Sequence, residues 1–107
     1  MYARLSRFAG LDPERIDETV RQFEEEQLPR LEQLAGFRGI TVGVNHTAGQ
    51  ALSIALWESE AAMRESEKIA TEARDRAVAT AGPVRTPVVD NYEVVIHREA
   101  TSGSPAS

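Results

Sequence analysis

The segment Leu56-Trp57-Glu58-Ser59-Glu60-Ala61-Ala62-Met63 constrains the fold more than any other part of the chain. Ahead of it, Ala51 to Trp57 alternates in the manner of a strand. Behind it, Ser59 and Glu60 open a helix, because a serine oxygen accepts a free first-turn N–H and an early acid complements the positive end of the helix dipole. A strand that ends in the chain's single tryptophan and passes straight into a capped helix has few ways to pack. Tryptophan buries a large rigid face while its N–H can still reach an acceptor, so Trp57 serves there either as core or as a pocket wall.

Upstream, Tyr2 to Phe8 alternates as a first strand. Asp12, Pro13 and Glu14 then read as cap, first helical position and dipole complement of a helix. Ile16, Val20, Phe23, Leu31 and Leu34 recur near whole helical turns and leave Glu24-Glu25-Glu26 on a solvated face. Pro29 removes one backbone donor, which predicts a kink or a second segment near Leu28, and Gly36-Phe37-Arg38-Gly39 closes the helix. Ile40 to His46 and Ala51 to Trp57, joined by Thr47-Ala48-Gly49-Gln50, form a predicted antiparallel hairpin.

The second helix is expected from Glu60 to about Ala79. Glu60/Arg64 and Glu72/Arg76 stand at the favourable four-residue spacing, and Met63, Ile69, Ala70, Ala73 and Ala77 form a small inward stripe. After Gly82-Pro83 a last strand is expected from Val88 to Arg98. Residues 1–98 then make one domain and residues 99–107 a tail of flexible composition.

Strand, helix, strand, strand, helix, strand is the split βαβ plan: an α+β, ferredoxin-like fold with a four-stranded antiparallel sheet and both helices on one face. Apolarity assigns Ala3, Leu5, Ile40, Val42, Val44, Leu52, Ile54, Leu56, Tyr92, Val94 and Ile96 to the helix side. The opposite face then carries Tyr2, Arg4, Ser6, Phe8, Thr41, Gly43, Asn45, Ser53, Ala55, Trp57, Glu93, Val95 and His97. Three of the six aromatic residues fall on that uncovered face, which predicts a second sheet over it and hence a homodimer.

At 107 residues the chain supports one modest core, which a partner subunit would enlarge. No apolar run reaches the length of a membrane span, and the start lacks the plan of a signal peptide, so a cytoplasmic protein without a membrane partner is expected. The absence of cysteine excludes disulfides, thiolate metal sites and thiol catalysis. A net charge of −5 and the lack of stacking aromatics in a basic context argue against a nucleic-acid partner.

The order of elements, the Leu28-Pro29 break, the Gly36-Phe37-Arg38-Gly39 turn and the junction from Leu56 to Ala61 resemble the antibiotic-biosynthesis-monooxygenase type of dimeric α/β-barrel protein over residues 1–98. The resemblance implies two ferredoxin-like subunits joined through their sheets, with small molecules held between each sheet and its helices. Members of that family oxygenate polyketide aromatics with O₂ and no metal or flavin, or degrade haem. For this chain it implies a cofactor-independent monooxygenase acting on a hydrophobic aromatic small molecule, the alternative being a non-catalytic ligand-binding or assembly dimer of the same fold.

Residue by residue, the resemblance supports Trp57 as a pocket candidate, with Phe23 and Met63 as its neighbours. The haem degraders pair this tryptophan with an asparagine on the first strand and a histidine on the second helix; here stand Ser6-Arg7 and no histidine from Glu60 to Ala79. The cofactor-free oxygenases add an asparagine before the tryptophan and a tyrosine after it, where this chain has Ser53-Ile54 and Met63-Arg64. Strict alternation places Trp57 on the open face, so a cleft position requires a twist or bulge at the strand end.

His46 and His97 are the candidate general bases, since imidazole titrates near neutrality and suits an acidic phenol or anthrone; a surface or interface position is the plainer alternative. Glu93 and His97 share a strand face, but two ligands do not make a metal site. No metal and no cofactor are assigned.

Overall fold

The computed structural model describes residues 1–82 and 85–100. Pro83 and Val84 of the connection to the last strand, and residues 101–107 of the expected tail, lie outside the described residues. Strand β1 (Tyr2–Phe8) is followed by α1 (Ile16–Gln22), a π-helical turn (Phe23–Gln27) and α2 (Leu28–Glu32). The hairpin β2 (Phe37–Asn45) and β3 (Gln50–Trp57) leads to α3 (Glu60–Glu65), α4 (Glu67–Ala81) and β4 (Val88–Glu93). The antiparallel sheet runs β2-β3-β1-β4, with the helices on one face, and the fold is ferredoxin-like α+β. No described helix is long and apolar enough to cross a membrane.

Local chemistry accounts for most departures from the expected boundaries. Asp12 accepts the Glu14 N–H in a turn, so the first helix begins at Ile16 and not at Pro13. Ahead of Pro29 the helix widens: the Leu28 N–H reaches back five residues to the Phe23 carbonyl, which relieves the crowding a proline ring imposes one turn upstream. Ser59 caps α3 as expected, accepting from the Ala62 N–H at 3.1 Å. The Glu60/Arg64 pair forms along the helix, whereas Glu72 and Arg76 turn away from each other to meet Arg30 and Glu26 of the neighbouring helical segments. β4 stops at Glu93 and not Arg98; Glu93 stands opposite Tyr2, and just beyond the strand the Val94 N–H still donates to the Met1 carbonyl at 2.8 Å.

The expected sheet faces require a correction. Ile40 and Val42 pair with Ala55 and Ser53, and those residues pair with Arg4 and Ser6. The helix side therefore carries Arg4, Ser6, Phe8, Ser53, Ala55 and Trp57, while Leu5, Leu52, Ile54, Leu56 and Tyr92 face away. Only β2 keeps its expected facing. α4 presents alanines to the sheet, and the large aliphatic side chains of β1 and β3 take the side no helix covers. A bulge between Phe37 and Gly39 inserts Arg38 and brings Phe37 opposite Trp57 on the helix side. Their rings meet edge to face at 5.5 Å.

Gly36 holds the junction together from the other side. Its φ of +83° suits only glycine, a Cβ there would lie 2.6 Å from that of Ala62, and its carbonyl accepts the Glu58 N–H at 2.7 Å. The strand-to-helix passage after Trp57 is thereby fixed at both ends.

Candidate functional site

Between sheet and helices lies a cavity of about 100 Å³. It exists because small residues oppose each other there. β3 offers Ala51, Ser53 and Ala55, and α4 offers Ala70, Ala73 and Ala77, too little side chain to meet across the layer. Phe8, Val20, Phe23, Leu31, Ile40 and Val42 close the remaining wall, with Phe23 placed at the first position of the π-helical turn. The lining is overwhelmingly apolar, with hydroxyls from Ser6, Thr19 and Ser53.

One pole of the cavity is cationic. Arg4 is only 3% exposed, a burial that guanidinium groups show when they are paired. Its Nη1 donates to Ser66 Oγ at 2.9 Å, and its Nη2 donates to the Met63 carbonyl at 2.7 Å and to Glu67 Oε2 at 2.8 Å. Arg74 donates to the other oxygen of Glu67 at 2.9 Å and also lines the cavity. Burial pulls the Arg4 guanidinium below its ordinary value while Glu67 opposes the shift; arginine starts so high that it stays charged.

This cluster explains why the expected single helix is two. In an unbroken helix the Met63 carbonyl accepts from the amide four residues on. Here it receives Arg4 Nη2 and the hydroxyl of Ser66, at 2.7 and 2.6 Å, and α3 gives way to α4 at Ser66, which is fully buried.

The residues singled out from sequence are distributed around this cavity and not gathered within it. Phe23 is in the wall. Trp57, with no exposed surface, and Met63 pack with Leu31 and Ala55 into a core cluster; the last two of these are shared with the cavity wall, so Trp57 stands one layer behind it. The Trp57 Nε1 has no acceptor among the described residues. His46 is half-exposed on the hairpin turn, 2.7 Å from Asp17 of α1, a carboxylate partner that sequence spacing did not reveal. His97 lies past β4, 3.7 Å from Glu99. Neither histidine is in the cavity wall, and among the described residues that wall contains no histidine, aspartate, glutamate or tyrosine.

No family model matches the chain. The uncharacterised protein Rv2557 of Mycobacterium tuberculosis is 28% identical over 107 residues, covering 99% of this chain and 46% of its own length; the chain thus spans about half of the curated relatives it matches. A solved monooxygenase from the gene ActVA-Orf6 of Streptomyces coelicolor, in complex with the ligand nanaomycin D, superposes with a TM-score of 0.75 at 16% identity, over 94% of this chain and 92% of that one. SnoaB, a cofactor-independent oxygenase from Streptomyces nogalater, superposes with a TM-score of 0.63 at 16% identity over 90% and 94%. The fold is that of the antibiotic-biosynthesis-monooxygenase type.

Within this monooxygenase-type fold, the feature that sequence reading passed over is the Arg4, Ser66, Glu67, Arg74 cluster. A signal was present. Arg4 alternates with Tyr2, Ser6 and Phe8, so whichever face takes the aromatics also takes a guanidinium, and Ser66 sits inside a helical run where serine competes for backbone bonds.

Proposed function

We propose that this protein binds a hydrophobic, ring-containing small molecule in the cavity between sheet and helices, as a homodimer whose uncovered sheet faces pack together. The observation that carries the reading is the cavity itself, apolar on nearly all sides and kept open by opposed alanines and serines. Such a site matches the general character of small-molecule pockets, mostly apolar with a few convergent polar groups. The nanaomycin D bound by the neighbour of the same fold supports a ligand of that kind. Ala77→Leu, which adds bulk to the α4 side of the wall, is expected to weaken binding of 2-naphthol at least about tenfold by calorimetry while the protein stays folded. Unchanged affinity would place the ligand elsewhere and defeat the reading.

A second reading, cofactor-independent oxygenation, is favoured by the fold shared with SnoaB. In it a ring methylene and O₂ give a carbonyl and water, the O₂ accepting four electrons. The described wall supplies no proton acceptor, so the substrate's own acidity would have to furnish the carbanion, as an anthrone does. An oxygen electrode separates the two readings: anthrone with protein should consume one O₂ per quinone formed, above the protein-free rate. No consumption leaves binding alone.

A further inference from the structure

The cavity alone is small for the ligand proposed above. Its volume of about 100 Å³ falls short of the roughly 300–1,000 Å³ of small-molecule pockets. A second hollow, of about 410 Å³, adjoins it at the free edge of β2. Val20, Phe23, Ile40 and Val42 line both spaces, whereas Leu28 and Val44 line the hollow and not the cavity, so the four shared side chains form the partition between them. Exposure marks the hollow as an unfilled part of the layer. Val42 and Val44 lie on the helix side of β2, where apolar side chains are normally covered, yet they stand 40% and 38% exposed. The helical layer leaves this edge of the sheet open.

We propose that the cavity and the hollow are two halves of one ligand site, entered at the free edge of β2, with the Phe23 side chain as the partition that moves aside. This inference rests on the ligand cavity proposed above and assigns its ligand a way in and a length. Val20, Ile40 and Val42 are β-branched and stiff, so they have little room to turn. Phe23 is the long one of the four, half-buried at the start of the π-helical turn, and a change of rotamer sweeps its ring out of the space between cavity and hollow. The helix beneath it is held. Asp17 of α1 meets His46 of the hairpin at 2.7 Å, and the Leu11 N–H, just ahead of α1, donates to the Gly49 carbonyl at 3.0 Å. Opening therefore falls to the side chain. Joined, the two volumes come within the range of ligand pockets and make one elongated apolar site, from the alanines of α4 out to Val44. Phe23 then determines specificity, since its two positions separate a short ligand held in the cavity from a longer one that spans both spaces.

Calorimetry and stopped-flow fluorescence on the intact protein test this, with 2-naphthol and its extended analogue 6-phenyl-2-naphthol as probes. The native protein is expected to bind the longer probe about tenfold or more tighter, its phenyl ring lying in the hollow. Val44→Arg alters an exposed side chain of the hollow and puts a long cation beside Asp17 and Glu24, which line the same space. It should erase most of the longer probe's advantage and leave the affinity for 2-naphthol within about threefold. Phe23→Ala removes the partition and should speed association of 2-naphthol about tenfold or more. If 2-naphthol binds and Ala77→Leu weakens it, but the longer probe is no tighter, or Val44→Arg leaves its advantage intact, or Phe23→Ala leaves association unchanged, the inference falls and the cavity reading stands. No binding by either probe defeats both. A longer probe weakened by Val44→Arg but indifferent to Ala77→Leu lies in the hollow alone, which also overturns the inference. Should Phe23→Ala fail to fold, the probe pair with the surface variant Val44→Arg decides alone.

Discussion

Replacing Leu52 and Ile54 together by glutamate is expected to halve the mass of the particle in solution. Both side chains project from the central strand β3 on the face opposite the helices, at 39% and 37% exposure, and two strands away on the same face β4 carries Tyr92 at 52% and Val88 at 53%. The Arg7–Asp90 ion pair also lies on this face, but exposed aliphatic side chains at the centre of a sheet are the mark of an interaction surface. Sheet-on-sheet burial of obligate character would cover on the order of 2,000 Å² in total. Val95 and Ile96 add to the case, standing 82% and 79% exposed beyond the end of β4. Introducing acids at the centre of the contact would place like charges against each other across the two-fold, at a cost of several kcal/mol. Sedimentation at low micromolar concentration should show a dimer for the native protein and a monomer with unchanged circular dichroism for the double variant. A native monomer, or a variant that still dimerises, would remove the homodimer proposal.

Trp57→Ala should cost about 3–5 kcal/mol in a denaturant titration, the range for truncating a fully buried large aromatic, and Trp57→Phe on the order of 1–2 kcal/mol. The indole has no exposed surface and packs edge to face on Phe37, with Leu31, Ala55 and Met63 completing the cluster. Its N–H has no acceptor among the described residues, so the phenylalanine variant forfeits volume but no hydrogen bond. Emission should be blue-shifted and insensitive to iodide. Because Leu31 and Ala55 lie between Trp57 and the cavity, the phenylalanine variant is expected to change ligand affinity less than about threefold, well short of the roughly tenfold expected of Ala77→Leu. Loss of binding with stability intact would return Trp57 to the pocket.

The order of elements was readable because hydrophobic period, the Ser59 cap and the Leu28-Pro29 break are local signals, each decided within a turn or two of chain. The facing of the strands was not. Alternation in β1 and β3 produces two sets of residues and says nothing about which set meets the helices. Ranking by apolarity chose Leu52, Ile54 and Leu56, whereas α4 brings alanine and the bulk of β1 and β3 belongs to the other side. The Arg38 bulge and the Phe37–Trp57 contact depend on register between strands, which spacing along one strand does not encode. The cavity was equally hidden, since a void is made by what opposed residues lack. His46 and Asp17, 29 residues apart, illustrate the same limit, for their meeting depends on where α1 lies over the hairpin.

The π-helical turn carries one residue more than an α-helical path between the same ends would need, and Phe23 stands at its start. Removing any one of Glu24, Glu25 or Glu26 would return the Leu28 N–H to a four-residue reach and rotate everything upstream by about 100° relative to α2. Phe23 and Val20 would leave the cavity without any change in their identity. Chain length within an exposed acidic run therefore governs the shape of an apolar chamber that the run never touches, and a single-codon deletion there would reshape that chamber more deeply than most substitutions in its wall.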